Sequence, residues 1–340
     1  MEKFIAVDSG KFATKFAWAS DDLKSYSLGR FRTKMSHGSF DDDAIESGTW
    51  VCEIDGKVMK LGNGALQDAD LESSKMNDMH RACTILAIAL VVNDGDDVKV
   101  AIGCPMNEYS NVEKRVAYKN FILPTGQVKV RYKAQRGDII TKSFNITGKY
   151  VYPESAGGLY LDMVRNKDVA AIVDIGNLNV NASYFTNFEP DFNYSLTSEM
   201  GGQILISNLA AELSASFTRC DERLVSGILK APLTERYLHP VRPDKEIEEK
   251  SKALITEALT RHVKLIRRMC DSKNWPLDYM QLTFIGGTSA LLENEIRQVF
   301  GEEVIIPDRP EYANAIGFLR RLIAWEKDTI LPLKQDQPKK

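Results

Sequence analysis

The order of hydrophobic and polar residues in the first half of the chain begins with a strand and a turn. Phe4-Ile5-Ala6-Val7 is a short apolar run that stops at Asp8-Ser9-Gly10, which is typical of a buried strand followed by a tight turn. Residues 12–18 alternate and predict the returning strand. Farther along, Asp55-Gly56 lies between two strand-like runs and predicts a β-hairpin. The remaining pattern predicts helices at 74–92, 111–121 and 155–166, and strands at 98–102 and within 128–152.

A second cycle of the same kind begins near residue 169. Residues 169–175 form a continuous apolar run broken only by Asp174, and Gly176 follows it. A helix is predicted from Gly201-Gly202 to about Phe217. Residues 244–269 predict a long helix with one apolar stripe, consisting of Ile247, Leu254, Ala258, Leu265 and Met269. The other predicted elements are strands at 180–185, 192–196, 282–285 and 304–306 and helices at 289–300 and 312–325.

Length and composition fit a two-domain globular protein. The 340 residues carry a net charge of −3, so no strong overall field attracts the chain to nucleic acid or to a membrane surface. The five cysteines are widely spaced and form no CxxC pair, which argues against a zinc site or a disulfide framework. The longest apolar stretch, 85–92, is too short to cross a bilayer, and no signal-peptide core is present. A cytoplasmic protein is therefore expected.

Two strand–Asp–x–Gly turns carry the first candidate chemistry. Asp8-Ser9-Gly10 and Asp174-Ile175-Gly176 each follow a buried apolar strand and precede a returning strand. Glycine lets backbone N–H groups approach phosphate oxygens closely, and the aspartates can hold a hydrated Mg²⁺ ion. A single Asp-x-Gly turn is more often a structural turn with no ligand than a phosphate-binding loop. The repetition of the whole unit favours a phosphate site.

Two further side chains are candidates in the first half. Lys15, seven residues after Asp8, can reach back to phosphate oxygens as a point charge, although a surface lysine on a hairpin is the simpler interpretation. Glu154 follows Pro153 and opens the predicted short helix, where its carboxylate can orient or deprotonate an attacking water. A glutamate that only suits the helix dipole is the alternative.

Two glycine pairs are placed where a nucleotide can lie against the backbone. Gly201-Gly202 opens a helix, and a helix N-terminus attracts anions. Gly286-Gly287-Thr288 follows a strand, and its glycines leave room for a base because no Cβ intrudes. Helix capping alone explains one such pair, but two of them in this order are less easily due to chance.

This ordered set of motifs resembles the nucleotide site of the actin / sugar-kinase / Hsp70 superfamily. Within it, the chain is most similar to the bacterial actin-like ParM/StbA plasmid-segregation proteins, because of Pro153-Glu154-Ser155 and the stretch Pro105–Tyr109. The five motifs are phosphate-1 (Val7-Asp8-Ser9-Gly10 to Lys15), connect-1 (Pro153 to Gly157), phosphate-2 (Val173 to Gly176), the Gly201-Gly202 turn and the adenosine motif (Ile285 to Ser289).

The resemblance implies an α/β fold of two ribonuclease-H-like, actin-like lobes that flank a nucleotide cleft. Domain I is expected at residues 1–166, with an inserted subdomain at about 30–95, and domain II at 167–326. Residues 327–340 contain two prolines and four lysines and are expected to be a flexible tail. The linker-like boundary falls near Asn166-Lys167-Asp168.

The resemblance also implies roles for individual residues. Glu154 matches the residue that positions the hydrolytic water, and Lys15 matches a phosphate-contacting lysine. Asp8 and Asp174 match the catalytic-site aspartates around Mg²⁺, which they hold through water. The other implied nucleotide-binding residues are Ser9, Gly10, Gly176, Asn177, Gly201, Gly202, Gly286, Gly287 and Thr288.

The implied function is a nucleoside triphosphatase that uses ATP, GTP or both with Mg²⁺ and assembles head to tail into filaments that move plasmid DNA. A DNA-binding adaptor protein is expected to link filament and plasmid, with no direct DNA binding and no membrane. Two alternatives stay open: a small-molecule (sugar) kinase, for which no base aspartate is recognisable, and a slowly hydrolysing scaffold for cell shape or secretion. The scaffold is favoured by the departure after Gly176, where Asn177-Leu178-Asn179 replaces the family's hydroxyl-rich loop and puts the γ-phosphate contacts in doubt.

Overall fold

The structure is a computed structural model that describes residues 1–42, 45–68, 74–135, 137–163, 169–217, 219–330 and 333–335. The chain divides into two compact units. Unit 1 consists of Met1–Met163 and Tyr312–Lys340, and unit 2 consists of Val164–Glu311. The predicted boundary at Asn166-Lys167-Asp168 lies outside the described residues.

Unit 1 is built on one mixed sheet. Its described strands are β1 (Glu2–Ser9), β2 (Ala13–Ala19), β3 (Ser25–Arg32), β4 (Lys34–His37), β5 (Thr49–Ile54), β6 (Lys57–Gly62), β7 (Gln67–Asp68), β8 (Asp97–Cys104), β9 (Gly126–Lys133), β10 (Ile140–Pro153) and β15 (Lys334–Gln335). They pair in the order β15-β3-β2-β1-β8-β10-β9-β5-β6-β4-β7, and the central strands β1, β8 and β10 are parallel. Strands β4 to β7, within the predicted insertion, therefore extend the same sheet.

The helices of unit 1 begin and end near sequence signals. They are α1 (Asp78–Ala89), α2 (Met106–Tyr109), α3 (Val112–Ile122), α4 (Ala156–Tyr160) and α10 (Ala313–Lys327). The side chain of Asn77 caps α1 by accepting from the N–H of His80 at 3.0 Å, and Asn111 caps α3 in the same way. The second half of α1 is apolar and fully buried, which anchors it beneath β1 in the core.

Unit 2 repeats the plan with a smaller sheet in the order β13-β12-β11-β14. Strands β11 and β14 are parallel, and β12 and β13 return antiparallel. The described strands are β11 (Val169–Ile175), β12 (Val180–Thr186), β13 (Glu189–Ser198) and β14 (Leu282–Ile285), and the helices are α5 (Gly202–Ser216), α6 (Glu222–Lys230), α7 (Lys245–Asp271), α8 (Gly287–Leu291) and α9 (Glu293–Phe300).

The end of the chain differs from the expected division. Helix α10 was assigned to the second domain, but it packs against β1, β2, β8 and α4 and belongs to unit 1. The tail expected to be flexible is ordered in part, because Lys334 and Gln335 pair with Ser25 and Tyr26 of β3 and Leu333 is buried. An apolar anchor and an unpaired sheet edge hold this segment.

Two local predictions are wrong. Residues 304–306 do not form a strand and contribute only an isolated bridge between Ile305 and Thr283. In the predicted stripe of α7, Ala258 is buried and Ile247, Leu254 and Met269 pack partly buried against the core, but Leu265 is exposed and its assignment to the buried face is wrong.

The described helices include none that is both long and apolar enough to cross a membrane. All five cysteines are buried and free of disulfides.

Candidate functional site

The two Asp-x-Gly turns have the same loop length and share one hydrogen bond of the same kind. In unit 1 the strand pairing closes at Ser9 and Thr14, and the N–H of Gly10 donates to the carbonyl of Ala13 at 3.2 Å. In unit 2 it closes at Ile175 and Val180, and the N–H of Gly176 donates to the carbonyl of Asn179 at 2.9 Å. Each loop therefore has four residues and one bond of the same kind, and the repeat predicted from sequence holds at the level of single hydrogen bonds.

A chain of hydrogen-bonded hydroxyl groups, two of them buried, holds the first loop in place. Thr33 donates to the carbonyl of Gly10 at 2.6 Å, and Thr14 lies 2.9 Å from Thr33. The hydroxyl of Ser9 lies 3.3 Å from that of Thr14. Because Thr14 and Thr33 are fully buried, this chain of hydroxyls satisfies the loop and holds its backbone in place.

Asp8 and Lys15 form the charged pair of the first loop. They are cross-strand partners on β1 and β2, and Lys15 Nζ lies 3.5 Å from Asp8 Oδ2. Asp8 is buried and Lys15 is mostly buried, so the pair is shielded from bulk water. The seven-residue spacing in the sequence is thus converted into a contact by the hairpin.

Glu154 lies at the same edge of the sheet as Asp8. Strands β1 and β10 flank β8 in parallel, with Val7 and Val151 both opposite Ile102, so the ends of all three strands meet. The N–H of Glu154 donates to the carbonyl of Cys104 at 2.8 Å. The preceding Gly103 packs under the ring of Phe318, since a Cβ there would lie 3.0 Å from the ring, and Glu154 Cγ lies next to the same position at 3.6 Å. Glu154 precedes α4 by two residues and does not open it, contrary to the sequence interpretation.

The connection from Glu154 to α4 is conformationally unusual. Ser155 is buried and has φ of 74°, in the left-handed region, where a residue with a Cβ is strained. Its hydroxyl has no hydrogen-bond partner among the described residues. At the next turn, Gly157 and Gly317 bring α4 and α10 into backbone contact, since a Cβ on Gly157 would lie 2.7 Å from the carbonyl of Ala313.

Lys75 is the charged residue of this region that sequence patterns missed. Its ammonium group donates to Glu154 Oε1, and both side chains are largely buried. Lys75 lies 79 residues before Glu154, in the segment leading into α1. No local spacing connects the two residues.

The negative charge of Glu154 contributes to the raised pKa values of two buried neighbours. Tyr118 donates to the carbonyl of Gly103 at 3.1 Å, and its pKa is raised well above the usual value by burial and then by the Glu154 carboxylate. Burial, with Glu154 second, also raises the pKa of the Cys104 thiol. Cys104 therefore stays protonated, as expected of a buried structural cysteine.

In unit 2 the second loop and the start of α5 form one hydrogen-bonded assembly. The N–H of Gly202 donates to Gly176 at 3.0 Å, and the N–H of Gln203 donates to Asn177 at 2.7 Å. Gly201 fits because a Cβ would lie 2.6 Å from the carbonyl of Asn177. The first amides of α5 thus hold the loop that follows Asp174.

The third glycine motif completes this assembly. Thr288 donates to the carbonyl of Gly176 at 2.9 Å, so α8 is joined to the same loop. Gly286 has φ of 92°, and a Cβ there would lie 2.5 Å from Asp174 Oδ1. Gly287 leaves open space, its nearest neighbour being Glu311 Cβ at 3.7 Å from a would-be Cβ. The predicted residues of each unit are therefore brought together within that unit.

The carboxylates of Asp8 and Asp174 are suited to a magnesium ion that keeps most of its water ligands. Among the residues that the structure describes, no group of three or more His, Cys, Asp or Glu side chains converges as a ready metal cage. Mg²⁺ in proteins usually keeps several of its water ligands and binds one or two carboxylates together with the phosphates of the substrate. A single aspartate at a glycine turn is compatible with this kind of coordination.

Part of the chain matches a known protein family. Residues 6–157 match the family model described as the N-terminal domain of actin-like proteins. A search of curated proteins gave no match.

Solved structures with the same fold cover nearly the whole chain. The Alp12 filament structure is 22% identical, covers 96% of this chain and 99% of its own, and has a TM-score of 0.71. Bacillus thuringiensis ParM with ATP is 12% identical over 96% and 99%, with a TM-score of 0.70. A 15-stranded ParM filament from Clostridium botulinum is 14% identical over 94% and 99%, with a TM-score of 0.67.

Proposed function

We propose that the chain is a ParM-like protein of the actin family, because residues 6–157 match the actin-like N-terminal domain and the fold is shared, and that it is a nucleotide-dependent filament protein that segregates plasmid DNA. Its substrate is ATP, GTP or both with Mg²⁺, and its partners are further copies of itself and a DNA-binding adaptor. The proposal is carried by one observation: two Asp-x-Gly loops of four residues, one in each unit, each closed by the same kind of glycine N–H hydrogen bond at the end of a buried strand.

In unit 1 the proposed roles follow from charge and position. Asp8 holds Mg²⁺ through water, and Lys15 contacts phosphate oxygens from the paired strand. Ser9 and Gly10 present the loop to phosphate, and the buried hydroxyls behind them keep it rigid. Glu154 positions the attacking water at the end of β10. In the reaction the water oxygen bonds to the terminal phosphorus as the bond to the bridging oxygen breaks, and the water proton passes through Glu154 to solvent.

In unit 2 the proposed roles follow from the resemblance and from the hydrogen bonds that join the loop after Asp174 to α5 and α8. Asp174 is the second aspartate for hydrated Mg²⁺, and Gly176 and Asn177 face phosphate. The remaining proposed contacts to the nucleotide are Gly201, Gly202, Gly286, Gly287 and Thr288.

Self-assembly is proposed from the likeness to filament structures. A head-to-tail contact that does not close on itself produces a filament. The net charge of −3 provides no broad basic surface for DNA, which supports recruitment through an adaptor.

Replacement of Glu154 tests the proposed chemistry. We expect Glu154→Gln to lower steady-state release of phosphate from ATP or GTP by at least about a hundredfold, because a neutral amide cannot take up the water proton. Nucleotide affinity should change little. The matched control is Glu113→Gln, which neutralises an exposed carboxylate on α3 and should leave turnover unchanged.

A second candidate is a slowly hydrolysing scaffold of the same fold. It is favoured by the loop after Gly176, whose asparagines replace hydroxyl side chains and whose carbonyls are held by α5. The same experiment separates the two functions. Slow turnover that Glu154→Gln leaves unchanged would favour the scaffold and contradict the hydrolysing filament.

A further inference from the structure

The ion pair between Lys75 and Glu154 in unit 1 is largely buried. The lysine side chain is 10% exposed and the glutamate side chain 14%. Burying either charge alone is costly, so each requires the other. Exposed pairs elsewhere in the chain carry no such constraint; Lys57 and Asp78, at 2.8 Å, are 69% and 54% exposed.

The backbone around Lys75 is fixed by capping interactions. Asn77 caps α1 through Oδ1 and donates through Nδ2 to the carbonyl of Ser74 at 2.7 Å. The N–H of Met76 donates to the hydroxyl of Ser74 at 3.1 Å. The segment on both sides of Lys75 is therefore ordered, and a four-carbon side chain delivers the ammonium group to Glu154.

The surroundings of Lys75 include charges of both signs. Glu154, Glu108, Lys75 and Arg115 all act electrostatically on Cys104, and Lys75 and Lys11 act on His80. Asp8 and Glu154 both act on Tyr118. Lys75 thus belongs to the same charged end of the sheet as the two carboxylates of the proposed reaction.

One carboxylate oxygen of Glu154 already accepts from the Lys75 ammonium group, so that oxygen is occupied and is not free to accept a hydrogen bond from an attacking water. A phosphate oxygen is an equally good acceptor for the ammonium group and carries more charge. A nucleoside triphosphate that reaches this end of the sheet therefore competes for Lys75.

We propose that Lys75 is a positioning residue that holds Glu154 in the nucleotide-free chain and exchanges it for the terminal phosphate of a bound nucleoside triphosphate, which frees the carboxylate for the water. This inference rests on the function proposed above. It makes the exchange specific for triphosphate, since a diphosphate has no γ-phosphate to draw the lysine away.

The test measures the affinities of Lys75→Ala, Lys75→Arg and the unmodified chain for a diphosphate and for a non-hydrolysable triphosphate analogue, with Mg²⁺. For Lys75→Ala we expect triphosphate affinity to fall about tenfold, the loss of one charge-assisted hydrogen bond, with diphosphate affinity within about twofold. Single-turnover hydrolysis should slow by about tenfold or more. Lys75→Arg keeps the charge and should retain the preference for triphosphate. Lys57→Ala is the matched control and should behave as the unmodified chain.

An unchanged ratio of diphosphate to triphosphate affinity in Lys75→Ala would overturn the inference, whatever the change in rate, because loss of structure alone affects both ligands. Loss of the preference in Lys75→Arg as well, with native thermal stability, would also contradict an exchange of charge. Failure of the unmodified chain to bind either nucleotide would overturn the proposed function itself. That outcome is separate from a failure of the Lys75 inference, because it is seen in the unmodified chain and not only in the variants.

Discussion

Individual residues of the candidate site differ in how far sequence can predict them. Lys15 and Asp8 are seven residues apart, and a tight hairpin turns that spacing into an ion pair. Lys75 and Glu154 are 79 residues apart, and only the tertiary fold brings them together. Local motifs therefore identify the loops and the carboxylates, whereas the lysine that contacts Glu154 is visible only in three dimensions.

Buried His80 makes the stability of the protein depend on pH. It is fully buried on α1, hydrogen-bonds to Asn77 through Nδ1, and faces the ammonium groups of Lys75 and Lys11. Burial, followed by these charges, lowers its pKa from 6.5 to about 3. Since the unfolded chain takes up a proton below pH 6.5 and the folded chain does not, this stabilisation is present above 6.5 and is lost progressively toward about 3.

Urea unfolding at pH 7.5 and 5.5 measures this effect. We expect His80 to account for a loss of about 1.4 kcal/mol in the free energy of unfolding at the lower pH. The variant His80→Gln cannot titrate and should lose correspondingly less between the two pH values. His262, whose pKa is also lowered by burial, contributes in the same direction in both proteins and cancels in the comparison. Equal losses in both proteins would contradict a neutral buried His80.

At the scale of elements, the sequence indicates which segments are helical more reliably than how wide the buried face of a helix is. Residues 244–269 were predicted helical, and α7 spans Lys245–Asp271. Its buried face includes most of the predicted stripe and is wider than predicted, because Ile255, Leu259 and Val263 are also buried in the core of unit 2, where α7 packs against α5 and α9. Strand β3 and helix α6 were missing from the prediction, although alternation in β3 and the Asp221 cap of α6 are local signals.

The contact between α4 and α10 depends on two glycines. A Cβ on Gly317 would overlap the backbone of Gly157, and neither backbone can yield cheaply. Gly317→Ala should destabilise unit 1 by about 2 kcal/mol or more, through overpacking. Differential scanning calorimetry should show a lower melting temperature.

Gly227→Ala is the matched control on α6, where a new Cβ meets nothing within 4 Å. Alanine has the higher helix propensity, so this variant should be more stable by about 0.5–1 kcal/mol. A melting temperature for Gly317→Ala equal to that of the unmodified chain would mean that the helices can separate freely at the glycines.

At the scale of the whole molecule, the repeated cycle of strands and Asp-x-Gly turns correctly predicts two similar units. The pattern does not predict that the chain returns to unit 1 at Tyr312. The hydrophobic periodicity of a helix indicates which face is buried but not which of the two sheets that face packs against. The apolar face of α10 is buried against β1 and β8 of unit 1. The order of the elements is thus encoded locally, and the pairing of the last helix is not.

Light scattering on concentrated protein with Mg²⁺ and either ATP or GTP tests the central proposal of a nucleotide-dependent filament most directly. The account predicts that scattering rises after nucleotide is added, falls as it is hydrolysed, and stays at baseline without nucleotide or with EDTA. Electron microscopy at the plateau should show filaments. A flat trace with both nucleotides at high protein concentration would contradict the account.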